Sequence, residues 1–148
     1  MRTAATLALA IATSLAARPV EAGLWSSTNA VAPVGGTTTM SISFTGDQRT
    51  VAAQVDVNVP SGIRVLAVTG RNGGHCALQT GGRIVRVLAF DNDLLPLPSY
   101  AQPQCDMTIR VSGYALPWFS MTSDLCVDAL SIGNRCAVDR GHLMITTP

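Results

Sequence analysis

An imidazole beside a thiol is the raw material of nucleophilic catalysis, and the chain offers one such pair, His75-Cys76. Adjacent residues of a strand point to opposite faces, so two neighbours there do not form a catalytic pair. The sequence contains neither a Gly-x-Ser-x-Gly elbow nor a His-Glu-x-x-His helix. Asp91-Asn92-Asp93 is the densest cluster of oxygen ligands. A calcium ion takes six to eight oxygens, and only two carboxylates are local. Asp91 and Asp93 are therefore weak metal candidates, and a polar turn ending a strand is the better reading. Nothing in the sequence asks for a cofactor.

The cysteines are more informative. Cys76, Cys105, Cys126 and Cys136 are separated by 29, 21 and 10 positions, which fits no zinc pattern. Four cysteines allow three pairings. Pairing Cys76 with Cys105 and Cys126 with Cys136 closes two compact local loops. In the chain-entropy model these contribute about 3.6 and about 2.7 kcal/mol.

Oxidised cysteines need an exported chain. Residues 1–22 have the layout of a secretory signal: Arg2, then an Ala- and Leu-rich run over residues 3–17, then Arg18-Pro19 and Val20-Glu21-Ala22. Small residues at 20 and 22 make Gly23 the expected first residue of the mature chain. The run is too short and Ala-rich to span a bilayer comfortably, and no second stretch in the remaining chain is long enough. Residues 23–148 have the length of one domain. Every basic residue is Arg, and eight Arg face eight Asp after residue 22. A weakly charged surface of zero formal net charge argues against nucleic acid, which needs a concentrated basic face. It also removes the self-repulsion that keeps proteins apart.

Aromatic side chains are a third source of function. Trp25, Tyr100, Tyr114, Trp118 and Phe119 could stack on sugar rings, and Tyr114, Trp118 and Phe119 form the best local cluster. With aromatics at 5% of residues, most are needed in a core.

The elements that must position these residues are strands. Thr38, Met40, Ile42 and Phe44 alternate with polar neighbours, as do Val51, Ala53, Val55 and Val57, and again Cys105, Met107, Ile109 and Val111. That period of two buries one face and wets the other. Residues 83–90 are more continuously apolar, broken by Arg86, and read as a central strand touching two layers. Residues 25–33 read as a first edge strand; 63–68 and 143–146 are shorter candidates. Gly- and Pro-rich turns separate these runs. Residues 94–103 carry three prolines and read as a long loop. A helical turn is expected only near 122–129. The pattern is an all-β, two-sheet sandwich.

Two stretches carry a resemblance. One runs Gly82-Arg-Ile-Val-Arg-Val-Leu-Ala-Phe-Asp91, then Leu95-Pro-Leu-Pro98 and Cys105-Asp-Met-Thr-Ile-Arg-Val111. The other is Val34-Gly-Gly-Thr-Thr-Thr-Met-Ser-Ile-Ser-Phe44 followed by Ala52-Ala-Gln-Val-Asp-Val57. Over residues 26–112 the chain resembles cohesin-like domains of bacterial exported proteins, jelly-roll sandwiches related to carbohydrate-binding modules. It departs where Val57-Asn58-Val59-Pro60 replaces the family's Tyr-Asp-Pro. The resemblance implies a jelly roll and a secreted or periplasmic, non-catalytic binding or structural module.

Such a module would attach an exported protein partner through a sheet face or its end loops. Leu95, Leu97, Tyr100, Tyr114, Trp118 and Phe119 are the expected contact residues. The alternative is a polysaccharide held by exposed aromatics, and an enzyme ranks last.

Overall fold

A computed structural model describes residues 22–113 and 119–146. They form twelve strands: β1 (Gly23–Ser27), β2 (Ala30–Pro33), β3 (Thr37–Gly46), β4 (Thr50–Asn58), β5 (Ile63–Gly70), β6 (His75–Leu78), β7 (Ile84–Phe90), β8 (Gln102–Val111), β9 (Ser120–Asp128), β10 (Gly133–Asn134), β11 (Ala137–Asp139) and β12 (Leu143–Thr146). One sheet has the order β11-β1-β3-β8-β5 and the other β10-β9-β4-β7-β6, with a small β12-β2 pair beside them. This is the two-sheet sandwich expected from the period-2 runs.

The inner faces carry those runs. Trp25, Met40, Ile42, Phe44, Met107 and Ile109 come from the first sheet. Val55, Val57, Val85, Val87, Ala89 and Met121 oppose them from the second. Fully burying such a side chain contributes about 1.5–3 kcal/mol each. The Trp25 and Phe44 rings pack with centroids 4.9 Å apart and planes tilted by 57°. Cys76–Cys105 joins β6 of the second sheet to β8 of the first, and Cys126–Cys136 ties β9 to the segment before β11. Both cross-links are the pairs expected from loop closure.

Several elements differ from expectation. Residues 25–33 are not one edge strand. β1 lies inside its sheet, between β11 and β3, and the chain leaves it at Thr28-Asn29 to pair β2 with β12. Side chains fix that break: Thr28 Oγ1 accepts the Ser41 N–H at 3.0 Å and Asn29 Oδ1 accepts the His142 N–H at 2.8 Å. The helical turn near 122–129 is instead part of β9, paired with β4 through two register shifts. The bulge breaks the alternation there, so the period of two is lost in the sequence although the strand is not. β8 begins at Gln102, and Pro103 is tolerated inside it because it sits at the register shift opposite Ser43.

Candidate functional site: an apolar outer face

Outward positions of β9, β4, β7 and β6 line up across the second sheet in rows. Val127, Ala52 and Phe90 make the first row; Leu125, Gln54, Leu88 and His75 the second. The third row is Thr122, Asp56, Arg86 and Ala77. The first two rows are apolar apart from Gln54 and His75, and they are open to solvent: Leu125 is 44% and Phe90 37% exposed. They enclose a shallow depression of about 160 Å3 lined by Ala52, Gln54, Leu88, Phe90, Leu125 and Val127. A second hollow of about 260 Å3 continues past Leu88 to His75, Ala77, Gln79 and Arg86.

The sequence builds this face by departing from alternation. On β7, Val85, Val87 and Ala89 point inward, while Leu88 and Phe90 share the outward parity of Arg86. The His75 ring lies on Phe90, with centroids 5.2 Å apart and planes 13° from parallel. Below the apolar rows Arg86 grips Asp56 with two bonds, Nε to Oδ1 at 2.8 Å and Nη2 to Oδ2 at 2.9 Å. Asp56 is buried, and the bond to its carboxylate, together with its charge, raises the guanidinium pKa further. The pair is a fixed polar mark beside an apolar patch, and its planar fork restrains how Arg86 is presented.

The larger concavity lies at the end of the sandwich, not on the sheet. About 400 Å3 is lined by Gln48, Arg49, Val51, Leu94, Pro96, Asp128, Ala129 and Leu130. Two of its walls are loops of one design. Asp91 Oδ1 accepts the N–H groups of Asp93 and Leu95, and Asp128 Oδ1 accepts those of Leu130 and Ile132. In each the residue three after the aspartate, Leu94 or Ser131, has positive φ. Asp91 therefore organises its own turn, and the described residues hold no cluster of three metal-ligating side chains.

The expected contact residues are divided by this structure. Leu95 and Tyr100 are exposed at the loop end. Leu97 is not: its N–H bonds Thr50 O at 2.8 Å, and the next carbonyl, Pro98 O, accepts the Gly46 N–H at 2.7 Å. The chain is pulled onto the sandwich so closely that any side chain at Gly46 would strike Leu97 O. Phe119 is wholly buried in the core. Neither Leu97 nor Phe119 can touch a partner, which corrects their assignment. Tyr114 and Trp118 lie outside the described residues. Leu88, Phe90, Leu125 and Val127 were missed; the signal was apolar residues on both parities of residues 84–90.

The sandwich is a cohesin-like jelly roll, as the resemblance implied. A cohesin solved in a cohesin–dockerin complex from Clostridium thermocellum matches with a TM-score of 0.70 at 12% identity, over 86% of this chain and 96% of that one. A non-cellulosomal cohesin from Archaeoglobus fulgidus matches with a TM-score of 0.68 at 15% identity, over 84% and 91%. CaCohA2 from Clostridium acetobutylicum gives 0.63 at 14%, over 85% and 92%. Identities this low carry the fold. No protein-family model and no curated protein matches the chain.

Proposed function

We propose that this protein is an exported, non-catalytic attachment module that holds a protein partner on the outer face of β9, β4, β7 and β6. The observation that carries this reading is the pair of apolar rows, Val127-Ala52-Phe90 and Leu125-Gln54-Leu88-His75, standing open on a rigid sheet. An apolar centre rimmed by a fixed polar pair is the make-up of a protein-binding patch. The loops that follow β7 and β9 add apolar surface of their own, with Leu94, Pro96 and Leu130 lining the loop-end cleft and Leu95 and Tyr100 exposed in the segment after β7. The Clostridium thermocellum neighbour was solved bound to a dockerin, so a small protein module is the partner class to test first. The two disulfides support residence in an oxidising compartment, and residues 1–22 serve as the export leader.

The test is a comparative capture from the producing cell's exported proteins. Wild type and Thr39→Asp, which alters the opposite outer face, are expected to retain the same partner, and Leu88→Asp and Leu125→Asp to lose it. Equal capture by all four overturns the assignment of this face. Retention on insoluble glycans that depends on Tyr100 would replace a protein partner with a polysaccharide.

A further inference from the structure

Ala22 and Gly23, the two sides of the expected cleavage site, are built into the sandwich. Ala22 is buried, its N–H reaching Arg135 O at 3.4 Å and its carbonyl meeting the Thr50 hydroxyl. Gly23 pairs with Gly46 at φ +140, and a Cβ there would lie 2.5 Å from the Phe44 ring. A protease needs its substrate extended and free of other pairings, so the folded domain withholds this bond.

The surroundings are built for a different group. Thr50 Oγ1 stands within bonding distance of two acceptors, Ala22 O and Asp47 Oδ1, the latter at 2.8 Å. A hydroxyl has one proton and can satisfy only one of them. Asp47 also takes the N–H groups of Arg49 and Thr50, at 3.0 and 2.8 Å. Among the described residues it has no ion-pair partner. Of the nearby cations, the Arg135 guanidinium is committed to Asp124, and Arg49 meets Asp47 through its main chain.

We propose that the Ala22–Gly23 bond is hydrolysed before the domain closes, and that the domain then folds around the new Gly23 α-ammonium, with Thr50 and Asp47 as its partners. Hydrolysis adds the hydroxyl of water to the Ala22 carbonyl carbon and a hydrogen to the Gly23 nitrogen, which protonates. An acceptor, Ala22 O, leaves the site, and a charged donor replaces it. Thr50 then gives its proton to Asp47 and accepts from the ammonium, so the competition between two acceptors disappears. The inference rests on residues 1–22 being the leader and is independent of the docking face.

The chain contains no lysine, so the α-amino group is the single target for an amine-acylating reagent. The experiment uses the exported protein: N-terminal sequencing first, then acylation rates at one pH of about 6.5, below the ordinary α-amino pKa, folded and in concentrated guanidinium chloride. The expected result is a Gly23 terminus that reacts about tenfold more slowly when folded, the effect of raising an amine pKa by about one unit. Asp47→Asn is expected to restore most of the rate. A terminus other than Gly23 overturns the leader boundary. A Gly23 terminus that reacts equally fast folded and unfolded leaves the leader standing and overturns the ion pair. If Asp47→Asn folds and stays as slow as wild type, burial replaces Asp47 as the cause. Should it not fold, the wild-type ratio decides alone.

Discussion

The two large sheets present inner faces of the same kind and outer faces of opposite kinds. Outside β3 and β8 stand Thr39, Ser41, Thr108 and Asp106, tied by Thr39–Thr108 at 3.2 Å, Ser41 Oγ donating to Asp106 at 2.6 Å and Arg71 to Asp106 at 2.9 Å. Those groups satisfy one another, so the centre of that face is polar, with Leu66 of β5 exposed at its edge. The corresponding positions of β7 and β9 hold Leu88, Phe90, Leu125 and Val127. Core packing accounts for neither pattern, because both sets point away from it. An apolar row kept on the wet side of a sheet is a feature to be explained by contact with something else.

The disulfide that closes the longer loop gives the largest expected effect. Replacing Cys76 and Cys105 together by Ser is expected to cost about 3.6 kcal/mol in urea unfolding. The same change at Cys126 and Cys136, whose link ties β9 of the second sheet to the residue before β11 of the first across a shorter loop, is expected to cost about 2.7 kcal/mol. Equal losses would mean that loop length does not govern either link.

The outer faces are compared most directly by matched charges. Leu125→Asp and Thr39→Asp are each expected to change stability by only about 0.5 kcal/mol, since both sites are on the surface. They are expected to part in partner capture, with loss only for Leu125→Asp. A smaller contrast separates the ion pairs. Arg86→Ala removes two charged bonds from a buried Asp56, whereas Arg71→Ala removes one from the more exposed Asp106, which keeps Ser41. Thermal unfolding is expected to show the larger fall for Arg86→Ala.

The smallest effect lies where the chain crosses from β3 in one sheet to β4 in the other. Burial pushes the Asp47 carboxyl up, but hydrogen bonds from Thr50 and Arg49 outweigh it and hold the pKa below the ordinary value. The unfolded chain therefore binds this proton more readily than the folded one. The contribution is complete above about pH 4 and disappears as pH falls through the lower, folded value. Asp47→Asn is expected to flatten the acid limb of a stability profile slightly, its small cost being full near neutrality and vanishing at the acid end.

Much of the fold was legible because inner rows obey a strict period. Met40, Ile42 and Phe44, or Val55 and Val57, declare one buried side whatever they face. The disulfides were legible because each closes a short loop. β9 was not, since its bulge against β4 shifts Asp124 and Leu125 out of alternation. Residues 25–33 hid a change of sheet that depends on distant Ser41 and His142. The site was the least legible part. Leu95 and Tyr100 are exposed, but Leu97, in the same loop, is pulled inward by main-chain bonds to β3 and β4 that no local pattern announces. Leu88 and Phe90 were visible as apolar residues of a central strand; a second covering layer was expected there, and the described residues leave that side open.

The Cys76–Cys105 bond also decides what a pull on the molecule can do. A module that tethers two bodies is stretched through its backbone, and tension peels strands away in sequence. The cross-link takes the 29-residue span between its ends out of the tensioned path. Roughly 100 Å of contour length is thereby withheld from extension. β7 lies inside that span, so tension between the ends of the chain does not unravel the strand carrying Leu88 and Phe90.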